Sequence, residues 1–179
     1  MANHTQGIIL EAFESMLDRM PFEKITVTAL IRECNIGRST FYYHYEDIFA
    51  LLDAALLKEL GRYKEAAQDK NWQEVLKALL YACRANKKRV YHIFNSLSRE
   101  RLEHYFFEQT ESTISAYILR MAEQRRAAPE RTQIITDIVV YAVYGYFLRF
   151  LRDDMEDDIE ASVNKLGAVF DELLDRMLH

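Results

Sequence analysis

Apolar residues recur at steps of three and four along nearly the whole chain, the period of a helix with one buried face. Ile8, Ile9, Ala12, Phe13, Met16, Leu17 and Met20 make the first stripe. Pro21 closes it, because a proline disfavours helical backbone in the residue before it. A short helix follows, with Thr26 as its N-cap and Ala29, Leu30 and Cys34 turned inward. Asn35 tolerates the left-handed conformation that ends helices, and a second short helix is predicted over residues 38–45. Asp47 can cap a longer helix carrying Ile48, Leu51, Leu52, Ala55, Leu56 and Leu60, and residues 64–71 read as its end and a loop.

Four further helices are predicted. Residues 72–86 place Trp72, Val75, Leu76, Leu79, Leu80 and Cys83 on one side. Residues 101–124 form a long helix, and Pro129 can open the next at its first turn, where a missing N–H does no harm. Residues 129–152 are apolar most of the way round between 138 and 148, which predicts a central helix. The last helix carries Ile159, Val163, Leu166, Phe170, Leu173 and Met177, a seam for another helix.

Composition agrees with the pattern. Two prolines and five glycines in 179 residues leave little material for hairpins, so the expected class is all-α. The length allows one large domain or two modest ones sharing an element. Lys and Arg number 23 against 28 Asp and Glu, a net charge of -5, which argues against a strongly basic nucleic-acid binder. Cys34 and Cys83 have no metal-ligand or disulfide spacing and read as reduced thiols in a cytoplasm. Residues 1–6 lack the basic n-region of a secretory signal. The apolar stretch 134–151 is interrupted by Asp137 and Arg149, so a buried helix is expected there and no membrane contact.

Helix, short turn and helix across residues 26–45 is the spacing of a helix-turn-helix, whose second helix enters the major groove. Phe41 and Tyr45, four apart, can pack inward, while Arg38, Ser39, Thr40, Tyr42, Tyr43 and His44 offer a guanidinium, hydroxyls, phenols and an imidazole. Such groups reach base edges and phosphates. The competing reading, a short aromatic helix wholly in the core, requires a buried partner for each polar tip.

The stretch Pro21-Phe22-Glu23-Lys24-Ile25-Thr26 through Phe41-Tyr42-Tyr43-His44-Tyr45-Glu46-Asp47 resembles the DNA-binding domain of TetR/AcrR-family transcriptional regulators. The resemblance covers about residues 5–56. It implies an N-terminal three-helix helix-turn-helix domain over residues 1–47 and a C-terminal helical bundle over 48–179 for effector binding and dimerisation. By position it places Thr26 and Thr28 at backbone contacts, Arg38, Ser39, Thr40 and Tyr43 at base or adjacent phosphate contacts, and Tyr42 and His44 at phosphates. The implied partners are a double-stranded DNA operator, a small-molecule effector, and a second copy through the last two helices. The segment His92-Ile93-Phe94-Asn95-Ser96 after a basic turn is similar to the C-terminal half of one branch of the family.

The chain departs from that pattern in four places. Pro21 and Asn35 stand where the family has Gly, Gly37 where a Ser caps the recognition helix, and Ile48 where a Lys addresses a phosphate. Residues 1–47 also hold four cations against seven acids, so counterion release contributes less than in basic binders.

In the C-terminal part, Tyr91, His92, Asn95, Tyr117, Tyr141, Tyr144 and Arg149 are candidates to line an aromatic cavity with polar tips. Tyrosines at helical spacing serve equally as core. Arg149 points to an anionic ligand and Asp137 to a cationic one, and both stay open. The basic cluster Arg84, Lys87, Lys88 and Arg89 reads as a solvated helix end. No phosphate loop, HExxH, paired His/Cys spacing or nucleophile elbow is present, so neither an enzyme nor a cofactor or metal is expected. Two functions remain: a dimeric, ligand-responsive repressor, or a helical binding module of the same fold that has lost specific DNA binding.

Overall fold

The computed structural model describes residues 2–66 and 72–177, with the side chains of residues 2, 3, 60–66 and 108–113 excepted. Among the described residues every regular element is helical. The helices are α1 (Ala2–Arg19), α2 (Val27–Glu33), α3 (Arg38–His44), α4 (Ile48–Ala66), α5 (Trp72–Ala85), α6 (Lys87–Phe94), α7 (Arg99–Arg125), α8 (Pro129–Arg152) and α9 (Ile159–Met177), with a 3-10 turn at Phe22–Lys24. The chain is all-α, as its proline and glycine content predicts. The part of the expected loop at residues 67–71 lies outside the described residues.

Two compact units emerge. The first takes residues 1–62 and 86–97, the second residues 63–85 and 98–179. The division by role at residues 47 and 48 does not follow these packing units, because α6 packs on α1 and belongs with the N-terminal helices. That placement changes the charge account. The first unit holds nine Lys and Arg against nine Asp and Glu, so it is neutral and the whole excess of -5 falls on the second.

The first unit is built around Ile9, Phe13, Leu17, Leu30, Phe41, Leu51 and Leu52, all at 1 % exposure or less. Phe22 joins them edge-on, its ring 6.2 Å from Phe13 and 5.2 Å from Phe49. The polar caps at both ends of this arrangement match their predicted residues. Thr26 caps α2, and the Asp47 carboxylate accepts from the backbone N–H groups of Phe49 and Ala50, each at 2.8 Å.

In the second unit α8 lies along α7 and α9 along α5, while α8 and α9 touch sparsely. The expectation of a central α8 is corrected: Ile135, Val139, Val140, Val143 and Tyr144 are buried, but Ile134, Ile138 and Tyr141 are exposed on the opposite face. By length and composition α8 is long enough and apolar enough to cross a membrane, and half of its most apolar window is buried inside the protein. Of the predicted α9 seam, Ile159, Val163 and Phe170 are buried within the protomer. The buried row of α9 also takes in Gly167 and Leu174, and Leu173 is exposed. A straight helix turns once per 3.6 residues, so a strict seven-residue row drifts off the contact face. At Gly167 a Cβ would lie 2.2 Å from the side-chain nitrogen of Gln73 on α5, so the glycine leaves room for that side chain.

Candidate nucleic-acid interface

The interface is built from α2, α3 and the turn between them. Thr26 is extended (φ -113°, ψ 149°), and its Oγ1 accepts from the Ala29 N–H at 3.2 Å, which starts α2. The helix ends in a Schellman motif centred on Asn35 at φ 52°. There the Ile36 N–H donates to the Ile31 carbonyl at 3.0 Å and the Asn35 N–H to the Arg32 carbonyl at 3.2 Å. Asn35 thus does the work that the related pattern assigns to glycine. Gly37 takes the N-cap of α3 at φ -78°, ψ 158°, a conformation open to any residue, and provides no side-chain cap.

On α3, Phe41 is fully buried and Tyr45 is 5 % exposed, their ring centroids 5.9 Å apart. Burial pushes the Tyr45 phenol above its ordinary range. This inward pair fixes the rotation of α3 and turns the rest of the helix outward. Tyr43 is 79 % exposed and Tyr42 51 %; Arg38 and Ser39 are exposed, and Thr40 and His44 half-buried. The Tyr43 and His44 rings meet edge-on at 5.0 Å, and Tyr42 stands edge-on to Phe41 at 5.3 Å. Large exposed phenols next to a fully buried phenylalanine exclude the reading of α3 as a helix sunk in the core.

Arg38 links the two helices, donating from Nη2 to Thr28 Oγ1 at 3.0 Å. The bond orients the guanidinium at the start of α3 and leaves its other N–H groups for an outside acceptor. Residues 35–45 contain no carboxylate. Ile48, the first residue of α4, is half-buried beside the capping Asp47.

The effector candidates are distributed otherwise than their grouping in sequence suggests. Tyr91, His92 and Asn95 belong to the first unit, where His92 Nδ1 bonds the Leu17 carbonyl at 2.6 Å and Asn95 caps the end of α6. In the second unit Tyr141 and Tyr144 come together through Phe107, at 4.8 and 5.6 Å, and Tyr144 packs on Phe106 at 5.0 Å. Tyr117 is engaged elsewhere, donating to Asp171 of α9 at 2.5 Å; burial and then that carboxylate push its phenol up to about 12. Arg149 pairs with Asp157 at 2.8 Å and lies over the Tyr146 ring.

The basic cluster is not a solvated helix end throughout. Arg84 bonds the backbone of the α8–α9 turn, and Arg89 of α6 grips Asp18 of α1 through two bonds of 2.7 Å. Sequence reasoning missed this α6 docking. Its one signal was Pro21, which cannot supply the N–H that the Leu17 carbonyl would otherwise accept.

Comparison with known proteins identifies the family. A family model of the TetR class, described as Transcriptional regulator C-terminal region, matches residues 70–172. No curated protein matches. Among solved structures the chain is similar to "Dihydroxyacetone kinase operon activator DhaS", with a TM-score of 0.69, 18 % identity and 96 % of each chain covered. It is similar also to a TetR transcriptional regulator from Streptococcus agalactiae 2603V, with a TM-score of 0.65, 23 % identity, and 97 % of this chain and 94 % of that one covered. A third is NalD, the secondary repressor of the MexAB-OprM multidrug efflux pump in Pseudomonas aeruginosa, with a TM-score of 0.61, 16 % identity, and coverage of 96 % and 97 %. At these identities the structural likeness shows the shared fold, and the family model, which spans more than half of the sequence, shows the family. The chain belongs to the TetR/AcrR family of transcriptional regulators, which are DNA-binding proteins and not enzymes.

Proposed function

We propose that the protein is a cytoplasmic, ligand-responsive repressor that binds a palindromic operator as a homodimer. The observation that carries the reading is the outward face of α3, where Tyr43 at 79 % exposure and Tyr42 at 51 % stand on a helix anchored by Phe41. Thr26, Thr28, Arg38, Ser39, Thr40, Tyr42, Tyr43 and His44 contact the operator, with residues 1–47 as the reading domain and 48–179 as the effector and dimer domain.

Dimerisation uses the last two helices, α8 and α9. Support comes from their exposed apolar rows, Ile134, Ile138 and Tyr141 on one and Val169 and Leu173 on the other. Two half-sites on one face of B-DNA lie about 34–36 Å apart. An effector that favours another separation of the two α3 helices releases the operator by shifting the population. Tyr144, buried against Phe106 and Phe107, is the effector residue best supported.

The test is an anisotropy titration on DNA from upstream of the protein's own gene, at low and moderate salt. Sequence-specific binding that Tyr43→Ala and Arg38→Ala abolish supports the regulator. No preference over random duplex, even at low salt, sinks it in favour of a binding module without an operator.

A further inference from the structure

We propose that Arg84 is the positioning residue of the assembly face: it sets the turn between α8 and α9, and through it the relative placement of the two apolar rows that meet a second copy. The inference rests on the homodimer reading above and assigns that assembly a residue which lies on neither row.

The second unit consists of two helix pairs, α7 with α8 and α5 with α9, while α8 and α9 have little direct packing. The exposed row Ile134, Ile138 and Tyr141 belongs to the first pair and the row Val169 and Leu173 to the second. A partner seated on both rows therefore requires a joint that holds the pairs in one arrangement.

Tyr117 and Arg125 of α7 tie the pairs together by bonding Asp171 and Asp175 of α9; the turn supplies the joint next to α8 itself, and its backbone is unusual. Asp154 and Met155 are successive non-glycine residues in the left-handed region, at φ 61° and 57°, which L-residues adopt at a cost. Within the chain's own backbone, the Asp153 N–H donates to the Arg149 carbonyl and the Met155 N–H to the Phe150 carbonyl, each at 2.8 Å. The Met155 side chain is 1 % exposed, and Asp158 caps α9 at the Ala161 N–H, 3.0 Å away.

From α5, the Arg84 guanidinium adds a fork across this turn. Nε donates to the Met155 carbonyl at 2.8 Å and Nη2 to the Asp157 carbonyl, while the planar group lies 5.6 Å from the Phe150 ring centroid. One side chain of the α5/α9 pair thus touches both the turn and the C-terminal end of α8. Arg149 holds Asp157 from the α8 side at 2.8 Å. Lysine at 84 would keep a positive charge beside the acidic run 153–158 but lose the planar fork and the ring contact. Lys77 serves as the contrast, because its bonds to Glu74 and Glu160, both 2.9 Å, stay within the α5/α9 pair.

The experiment measures the dimer dissociation constant of the full chain by sedimentation velocity, for wild type, Arg84→Lys, Arg84→Ala and Lys77→Ala. Far-UV circular dichroism and urea unfolding are recorded alongside. The expected result is a dimeric wild type, with Kd raised about tenfold or more by Arg84→Lys and further by Arg84→Ala, the size set by two charge-assisted bonds. Lys77→Ala should lower unfolding stability and leave Kd near the wild-type value. If Arg84→Ala does not fold, the comparison of Arg84→Lys with wild type decides. Wild-type Kd in the folded Arg84 variants overturns the inference, as does an equal weakening by Lys77→Ala. A monomeric wild type at every concentration overturns the dimer reading instead.

Discussion

His92 Nδ1 donates to the Leu17 carbonyl at 2.6 Å, across 75 residues of sequence, and so joins α6 to the last turn of α1. The Leu17 carbonyl is open because the residue four further on is Pro21, which has no N–H. Leu17 itself is 1 % exposed, so without His92 its carbonyl would lose its side-chain partner. Arg89, one turn earlier on α6, pairs with Asp18 beside it. His92→Ala should therefore cost about 1–2 kcal/mol, the penalty of a buried acceptor left open. Urea unfolding at pH 7 measures it, and a loss of under a few tenths would mean that water takes the position freely.

The neighbouring pair makes a pH-dependent prediction. Hydrogen bonding from Arg89 holds the Asp18 carboxyl below its ordinary 3.8, against the opposing effect of burial, with the Arg89, Lys88 and His92 charges adding to the lowering. A depressed folded-state pKa means stability that is present above the unfolded value and lost as pH falls through the folded one. Asp18 is half exposed, so solvent screening limits the contribution to under about 1 kcal/mol. Asp18→Asn should be less stable than wild type at pH 7 by that amount. The gap should narrow as pH drops below 3.8. A constant gap at all pH values would show that the pair acts by shape and not by charge.

These two contacts also mark what was legible in the sequence. Local signals were: Thr26 as a cap, Asn35 in the left-handed region, Asp47 at the start of α4 and Pro129 at the start of α8 each depend on residues within one turn. The docking of α6 on α1 was not, because it depends on residues some 70 positions apart. Nor was the grip of Arg84 on Met155, since a basic residue near a helix end has the same local pattern whether solvated or bound. The apolar girth of α8 was visible, but not which part of it the protomer buries. Ile134, Ile138 and Tyr141 differ from their buried neighbours in direction and not in type. For the interface, the polar tips of α3 followed from Phe41 and Tyr45 turning inward, whereas the Arg38–Thr28 bond required the angle between two helices.

On α3, exposure and burial separate stability from recognition. Tyr43→Ala removes a side chain that is 79 % exposed, and unfolding stability should stay within about 0.5 kcal/mol of wild type while operator affinity falls. Phe41→Ala empties a fully buried position and should cost about 3–5 kcal/mol. Thermal unfolding and anisotropy on the two variants check both. Equal destabilisation by the two would contradict the orientation of α3.

The missing cap of α3 offers a gain. Gly37 lies in the extended region, and a Cβ there meets Ser39 Oγ at 3.7 Å and Thr40 Oγ1 at 3.8 Å, ordinary contacts. Serine at 37 can accept from the N–H groups of the first turn and also restricts the unfolded chain. Gly37→Ser should stabilise the protein by about 0.5–1 kcal/mol. A denaturation midpoint below wild type would show that the added hydroxyl displaces Ser39 or Thr40.

Charge decides the last prediction. With α6 docked the first unit is neutral, so few phosphates are neutralised by free cations and the salt dependence of operator binding should be shallow. Ile48 opens α4 where the family pattern places a lysine, and it is half-buried beside Asp47, whose carboxylate is committed to the Phe49 and Ala50 N–H groups. Ile48→Lys places a cation at a helix N-terminus, an unfavourable position worth about 0.3–1 kcal/mol of stability. If residue 48 faces a phosphate, the variant should still bind all duplexes more tightly, and its log–log salt slope should steepen by about one unit. Specific and random DNA should gain alike, because a phosphate contact carries no sequence information. An unchanged slope together with the expected stability loss would show that position 48 points away from the backbone. The operator contacts would then rest on the hydroxyls and phenols of α3 and on Arg38.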